Sequence, residues 1–496
     1  MATGAADVAF FGHPRGLSTL FFTEMWERFS YYGMRALLIL FMVAPVEDGG
    51  LGFDTVRAAA IYGLYTSMVY VTTLPGGWVA DHLIGAQRAV LYGGVLIAAG
   101  HFSMAVPKLA TFYTGLFLIV IGTGLLKGNV SVIVGRLYGT ADPRRDAAYS
   151  IFYMGINVGS FLAPLVCGYL GQRVDWHAGF AAAGFGMTLG LVQYVRGQRH
   201  LGDAGLRPAV TTPSETARDR RIVTTTLAAT VAIVVMVGLA HVSGLLPLTA
   251  TLVADIAGYL LLALTLGFFA WLYVFSTGWT PGERKRLYVI GLLFLGAMLF
   301  WSEFEQAGST LNLFADRNTD NAIAGWEFPS SWYQSTNALF IISFAPVYAW
   351  LWVRLARRGI EPSSTAKFGI GLVLVGAGFA ILVVPALIAD GGARVSPLWL
   401  TVAYLLHTWG ELALSPVGLS AMSKLAPARI AGLVMGVWFL ASSGGNYIGG
   451  RMAAFYEAMP ISTLFGAVAA FGIAVGVVFL LLARPVGRIE RNPVGA

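Results

Sequence analysis

Stretches of about 20 mostly apolar residues, the length that an α-helix needs to cross a bilayer, recur along the whole chain. Of its 496 residues, 57% are hydrophobic and 11% are charged, whereas a soluble domain carries about 25% charged residues. We therefore predict an all-α, polytopic membrane protein that is surrounded by the lipid bilayer. The net charge of +7 is interpreted below as a sign of membrane topology, and we predict no nucleic-acid partner.

Fourteen windows are apolar enough to form transmembrane helices, and they begin near residues 16, 56, 88, 110, 147, 177, 222, 249, 287, 331, 366, 396, 427 and 461. With both termini in the cytoplasm, few lysines and arginines lie on the outer side, namely Arg57, Lys108, Arg173, Arg317, Arg394 and Arg451. Arg28, Arg35 and Lys127 lie within spans, and all the others lie on the cytoplasmic side. This asymmetry follows the positive-inside rule and predicts fourteen spans with both termini cytoplasmic.

Two of the windows, 222–243 and 249–276, differ from the rest because they are almost purely apolar, with Asp255 as their only charged residue. Without them, six spans remain on each side of a basic linker. We therefore predict a 6 + 2 + 6 arrangement. It consists of an N-terminal six-helix bundle at 1–200, a linker with two inserted helices at 201–283, and a C-terminal six-helix bundle at 284–496.

Sequence motifs for enzymatic chemistry are missing. The chain has no G-x-x-x-x-G-K-[ST] phosphate loop, no paired histidines or cysteines with metal-ligand spacing, and no G-x-S-x-G nucleophile. Its single cysteine, Cys167, excludes an internal disulfide. The glycines of Gly122–Gly124 are typical of close helix packing. We predict a carrier driven by an ion gradient, without a cofactor and without enzymatic activity; a membrane enzyme or sensor is the alternative from another class.

Ionisable residues inside the apolar windows carry the functional information. They are Glu24, Glu27, Arg28, Arg35, Lys127, Glu303, Glu305 and Glu411. Each charge at mid-membrane depth costs about 2.5–3.5 kcal/mol on insertion scales. Such residues must therefore pair with one another or face a wet cavity, and salt bridges that only hold helices together are the structural alternative.

The helical period sorts these residues into faces. In the first span, one arc of roughly 140° contains Glu24, Glu27, Arg28, Tyr31, Tyr32 and Arg35. In the span that begins near 287, a second polar face contains Glu305, Ser309, Asn312 and Asp316, while Glu303 points to the opposite side. Later in the chain, Glu411 shares a face with His407 and Ser415.

The signs of these charges differ between the two halves of the chain. Arg28, Arg35 and Lys127 belong to the first half, while Glu305 and Glu411 belong to the second. A cavity between the halves is expected to be basic on one wall and acidic on the other. That polarity fits a zwitterion with separated charges, such as a short peptide or an amino acid.

Five sequence motifs carry a family resemblance. They are E-x-x-E-R-F-x-Y-Y-G at Glu24–Gly33, the Gly76–Asp81 run with Gly85, F-Y-x-x-I-N-x-G at Phe152–Gly159, the Phe300–Ser309 run, and the Gly410–Gly418 run. Together the motifs are similar to those of the proton-dependent oligopeptide transporters of bacteria, a branch of the major facilitator superfamily. The resemblance implies a major facilitator fold in the bacterial inner membrane. It also implies a monomer that imports di- and tripeptides with protons by alternating access.

The resemblance also implies residue roles. Arg28, Arg35 and Lys127 are expected at the peptide carboxylate and in proton coupling, to which Glu24, Glu27 and Glu305 also contribute. Glu411 is expected to bind the peptide amine, helped by Asn157 and Asn337, and Glu305 is expected to belong to the acid cluster of the substrate site on the C-terminal half. Side-chain pockets are expected from Tyr32, Tyr70, Trp301, Ser415 and Trp438. Arg57 and Asp316 are the candidates for an outer gate, although solvated loop charges are an equal alternative for this pair.

A related carrier for another small charged solute, such as nitrate, a drug or an amino acid, is the alternative function. The intact E-x-x-E-R run favours peptide, since nitrate-type relatives often lack it.

Overall fold

The computed structural model describes residues 9–139, 142–208, 212–323 and 325–491. These residues are almost entirely helical, and the one sheet among them is a pair of two-residue antiparallel strands, Ala322–Ile323 and Trp326–Glu327. The all-α fold is therefore confirmed. Both chain termini, which we predict to be cytoplasmic, lie outside the described residues.

The first set of helices covers the first six predicted spans. It consists of α1 (Arg15–Val43), α2 (Thr55–Val71), the short α3 (Thr73–Val79), α4 (Ala86–Met104), α5 (Leu109–Arg136), α6 (Arg145–Arg173) and α7 (Trp176–Gly197). Asp54 and Asp175 accept hydrogen bonds from backbone N–H groups at the starts of α2 and α7, as N-cap residues do. Helix α1 packs against α6 and α7, and α4 packs against α5 and α7.

Small residues bring these helices close together. A Cβ added to Gly93 of α4 would lie 2.5 Å from the carbonyl oxygen of Gly122 on α5, and one added to Gly122 would lie 2.6 Å from that of Gly93. A Cβ on Gly124 would lie 2.6 Å from the Thr72 oxygen. Only glycine permits this approach, so the predicted packing role of Gly122–Gly124 is confirmed.

The inserted pair consists of α8 (Pro213–Val242) and α9 (Ala250–Ala270). Thr212 and Glu215 form a reciprocal capping box at the start of α8. Helix α8 exposes most of its described side chains and contacts the Ala80–Ile84 turn, while α9 lies against α2 and α15. These two helices coincide with the two windows that are nearly free of charge.

The last set of helices covers the last six predicted spans. It consists of α10 (Pro281–Phe304), α11 (Thr310–Arg317), α12 (Gln334–Arg357), α13 (Ser364–Asp390), α14 (Pro397–Leu425), α15 (Ala431–Met452) and α16 (Ile461–Arg491). Helix α13 packs between α14 and α16, and α10 packs against α13 and α15.

One expectation about this set is wrong. The span that begins near 287 is not continuous, because α10 ends at Phe304, a 3₁₀ turn covers Glu305–Gly308, and α11 begins at Thr310. Its polar residues therefore do not form one unbroken helical face. Close packing requires glycine at position 308, since the ring hydroxyl of Tyr62 and the side chain of Arg35 occupy the space where a Cβ would lie, and a glycine inside a helix weakens it.

Among the described residues, nine helices are long and apolar enough to cross a membrane on length and composition alone. The predicted spans outside this group correspond to α1, α2, α4, α14 and α15. In α1, buried charges interrupt the apolar run. A helix starts at or close to every predicted span, and the crossing of the membrane by all fourteen stays a prediction.

The two sets meet most closely where α1 ends and α2 begins, which we call the outer end. There Arg173 pairs with Glu327 at 3.2 Å, and Gln172 donates to the Ser330 hydroxyl at 2.8 Å. Glu457 accepts from the Thr55 hydroxyl at 2.5 Å and pairs with Arg317 at 2.6 Å. Polar contacts between the sets therefore close the outer end.

The expected Arg57–Asp316 gate is not formed in this structure. The Arg57 guanidinium lies 3.7 Å from the centre of the Phe53 ring and donates to the Tyr113 hydroxyl. Asp316 accepts hydrogen bonds from Ser330 at 2.8 Å and from Gln172 at 3.3 Å. Both residues therefore have other partners. The contact between Asp316 and the first set of helices is the hydrogen bond from Gln172.

Candidate binding site

A polar cavity lies between the first and last sets of helices. It is lined by Tyr32, Arg35, Tyr70, Trp301, Phe304, Glu305, Ala307, Gln334, Asn337, Tyr404, His407 and Glu411. Helices α1 and α2 supply one wall, while α10, the turn after it, α12 and α14 supply the other. Seven of the residues predicted for a substrate site are thereby brought together.

The strongest contact in the cavity joins its two walls. Arg35 Nη2 lies 2.6 Å from Glu305 Oε2, and both side chains are buried. Arg35 Nε also donates to the Tyr62 hydroxyl at 2.8 Å. A buried ion pair offsets its desolvation cost only while both partners are present, so Arg35 and Glu305 hold the two sets together in this state.

The break after α10 places Glu305 in this position. Beyond the break, Ser309 donates to the Gly449 carbonyl at 3.2 Å, and Asn312 donates to the Ala36 carbonyl at 2.9 Å. Discontinuous helices recur at the binding sites of secondary transporters, because irregular backbone is tolerated at membrane depth where it faces protein or a wet cavity. Gly308 within this polar stretch was the available sequence signal for the break.

A second charged cluster lies on α1, closer to its start. Arg28 Nε lies 3.1 Å from Glu24 Oε1 and also contacts Glu27 Oε2. All three side chains are buried. One oxygen of each carboxylate and Arg28 Nη2 have no hydrogen-bond partner among the described residues. Two acids therefore share one base, and the cluster is only partly satisfied.

Lys127 lies beside Tyr70 at the edge of the cavity. Its Nζ is 3.7 Å from the centre of the Tyr70 ring, a cation–π contact. In the part of the chain that the structure describes, Lys127 has no carboxylate within ion-pair distance. Its amine thus lies beside a residue that lines the cavity, Tyr70.

Glu411 forms the acidic side of the opposite wall. Asn337 Nδ2 donates to Glu411 Oε2 at 3.0 Å and to the Thr408 hydroxyl at 3.1 Å. No cation pairs with Glu411 among the described residues, which also contain no group of three or more His, Cys, Asp or Glu that could hold a metal ion. The predicted partnership of Asn337 with Glu411 is present in the structure.

Several predicted residues lie outside the lining. Asn157 donates to its own helix at the Tyr153 carbonyl, 2.9 Å away, and Trp438 packs against Gly418. Ser415 lies one helical turn beyond Glu411 and does not line the cavity. The predicted substrate contacts of these three residues stay predictions. Glu303 is buried against Gly472, away from the cavity, as its helical position predicts.

Five lining residues were not predicted as substrate contacts, namely Phe304, Ala307, Gln334, Tyr404 and His407, although His407 was placed on the helical face of Glu411. None of them carries a fixed charge, so the cost of placing a charge in the membrane, which identified the charged site residues, does not identify them. Gln334 could have been found because it lies three residues before Asn337, on the same helical face.

The sequence as a whole is similar to known transporters. A model described as the POT family matches residues 87–471. The peptide transporter YePEPT of Yersinia enterocolitica is 43% identical over 501 residues, which cover 98% of this chain and 97% of that protein.

Solved structures share the fold. A crystal structure of a peptide transporter POT in complex with sulfate superposes with a TM-score of 0.91 at 42% identity, covering 97% of this chain and 96% of that one. A POT family transporter in complex with 5-aminolevulinic acid superposes with a TM-score of 0.89 at 35% identity, covering 96% and 98% of the two chains.

Proposed function

Because the chain belongs to the POT family, we propose that it is a membrane carrier that imports di- and tripeptides together with protons by alternating access. The observation that carries the proposal is the separation of charge in the cavity. Arg35 and Lys127 lie on the side of α1, α2 and α5, and Glu411 lies on the opposite wall without a cation partner among the described residues.

A peptide matches this separation of charge. Its carboxylate is placed at Arg35 and Lys127, because a guanidinium offers a two-pronged donor and an ammonium offers a point charge. Its amine is placed at Glu411 and Asn337. Tyr32, Tyr70 and Trp301 give the cavity apolar surface for side chains. The ligand of one relative, 5-aminolevulinic acid, likewise has an amine and a carboxylate at opposite ends.

The cluster of Glu24, Glu27 and Arg28 is proposed to carry the proton. Protonation of one carboxylate removes part of the charge that holds Arg28, and the freed guanidinium adds positive charge on the side of the peptide carboxylate. An inward proton gains about 2.3 kcal/mol per 100 mV, which corresponds to roughly 50-fold accumulation. Arg35 and Glu305 then separate when the outer end opens and pair again when it closes.

The remaining features of the proposal concern the assembly. The chain is placed in the inner membrane of a bacterium as a monomer, with fourteen spans and both termini cytoplasmic. Its bundles are 1–200 and 284–496, with the inserted pair in 201–283. It needs no cofactor, since the proton gradient supplies the energy.

Uptake into proteoliposomes tests the function directly. With an acidic outside and an inside-negative potential, radiolabelled dialanine should accumulate well above its external concentration, and a protonophore should abolish that accumulation. If no di- or tripeptide accumulates while nitrate or a single amino acid does, the peptide assignment is wrong and the alternative carrier function replaces it.

The outer contact at Glu457 should not set the pH dependence of uptake. The Thr55 hydroxyl and the Arg317 guanidinium hold the pKa of Glu457 below its usual range. Glu457 is therefore ionised, and its contact with Thr55 and Arg317 is fully formed, at any pH above the ordinary carboxyl pKa. The contact weakens only when the pH falls through the lowered pKa of Glu457. Above about pH 5.5, Glu457→Gln should change the rate of dialanine uptake by the same factor at every pH, and a shifted pH profile would contradict this.

A further inference from the structure

Helix α9 of the inserted pair has two unlike faces. One face makes hydrogen bonds and an ion pair with the last set of helices, and the other packs against α2 of the first set. Both contacts lie near the outer end, where the two sets meet. A helix attached in this way responds to the relative movement of the sets.

The polar contacts of α9 all involve the last set. Arg451 Nη2 of α15 pairs with Asp255 Oδ1 of α9 at 2.9 Å, and the Tyr447 hydroxyl donates to the Ala254 carbonyl at 2.9 Å. After α9, the Tyr273 hydroxyl donates to the Leu287 carbonyl of α10 at 3.1 Å. Helix α9 is therefore connected to this set at both of its ends.

The contact between α9 and α2 is apolar, and no hydrogen bond or ion pair joins the two helices among the residues that the structure describes. Apolar cavities border α9 on both sides, one of about 500 Å³ beside Leu64 and Met68 of α2 and one of about 790 Å³ beside Met298 and Tyr447 of the last set. The two contacts therefore differ in their polar bonds. Van der Waals packing alone joins α9 to α2, whereas an ion pair and a hydrogen bond join α9 to the last set.

Arg451 lies where α9, α15 and α2 meet. A Cβ on Gly63 of α2 would lie 3.3 Å from the Arg451 backbone nitrogen and 3.5 Å from its Cγ, while the guanidinium reaches over to Asp255. The pair therefore lies beside the line along which α2 and α15 must separate when the outer end opens.

We propose that the Asp255–Arg451 pair fastens α9 to the last set of helices, so that α9 moves with α15 and slides along α2 during alternating access. Asp255 is then a positioning residue for transport, and this role rests on the proposed function. Loss of either partner leaves the other charge in the outer leaflet without a counterion. The pair is therefore maintained while the apolar contact with α2 changes.

Spin-label distances test the attachment without requiring transport. In a Cys167→Ala background, labels are placed on exposed positions of α9 (Leu260), α13 of the last set (Leu387) and α7 of the first set (Phe185). The 260–387 distance distribution should be narrow, and the 260–185 distribution should be broader. Asp255→Asn should broaden the 260–387 distribution, whereas the matched variant Asp255→Glu should keep it narrow. An unchanged 260–387 distribution in Asp255→Asn would overturn the proposal.

Uptake kinetics separate positioning from peptide binding. Asp255→Asn should lower the maximal rate of dialanine uptake about fivefold or more, with KM within about twofold of the unsubstituted protein, and Asp255→Glu should restore most of the rate. A wild-type rate in Asp255→Asn would overturn the positioning role. Absence of uptake in the unsubstituted protein would instead contradict the peptide function, and the spin-label distances would still decide the attachment.

Discussion

Arg35→Ala is expected to reduce dialanine uptake about 100-fold or more, because removal of one partner of a buried ion pair costs about 3–5 kcal/mol and also removes a ligand for the peptide carboxylate. The loss should be similar for uptake driven by a proton gradient and for counterflow exchange between labelled and unlabelled peptide. Both assays require binding and the closed outer end, and Arg35 contributes to each through Glu305. Initial rates in proteoliposomes measure the effect.

Two further variants separate binding from stability. Arg35→Lys keeps the charge but lacks the two-pronged donor, so it should recover part of the uptake. The double variant Arg35→Ala with Glu305→Ala leaves no unpaired charge and should recover thermal stability without recovering uptake. If Arg35→Ala alone retains more than about one tenth of the wild-type rate in both assays, Arg35 is neither a peptide ligand nor a necessary contact between the sets.

The helical period predicts the orientation of α1, and the i,i+4 spacing of Glu24 and Arg28 predicts their contact, but neither predicts the partner of Arg35. Tyr32 and Arg35 line the cavity, as the shared face predicts, whereas Arg28 is held by Glu24 and Glu27 of its own helix. The position of a residue around the axis of its own helix does not show which residue of a neighbouring helix lies at the same depth in the membrane. That Arg35 would meet Glu305 depended on the packing of α1 against residues about 270 positions later in the chain.

The break at Glu305–Gly308 shows a second limit of sequence reasoning. Local composition allows either a continuous helix or a turn there, and the residues that pack against the turn, Tyr62 and Gly449, are distant in the sequence. Glu411 was predictable because a charge in an apolar helix needs a partner or a wet cavity, whereas Asn337 was implied by the family resemblance. Tyr404 carries no such requirement, so only the assembled structure reveals it.

Glu24→Gln and Glu27→Gln should separate proton coupling from peptide exchange. At least one of the two variants is expected to lose accumulation of dialanine under a pH gradient. The expected loss is about 50-fold, which is the accumulation ratio that one proton moving through 100 mV supports. The same variant should retain counterflow exchange within about threefold of wild type. The physical reason is that a glutamine keeps the shape and the hydrogen bond to Arg28 but cannot exchange a proton.

The matched control is Glu303→Gln, since Glu303 is an equally buried glutamate at membrane depth that faces Gly472 and not the cavity. It should leave both accumulation and exchange close to wild type, so a loss of coupling in the other variants cannot be attributed to neutralising any buried acid. Concentrative uptake retained in both variants would remove the cluster from the coupling mechanism and leave Glu305 as the remaining candidate acid on the path between the two sets.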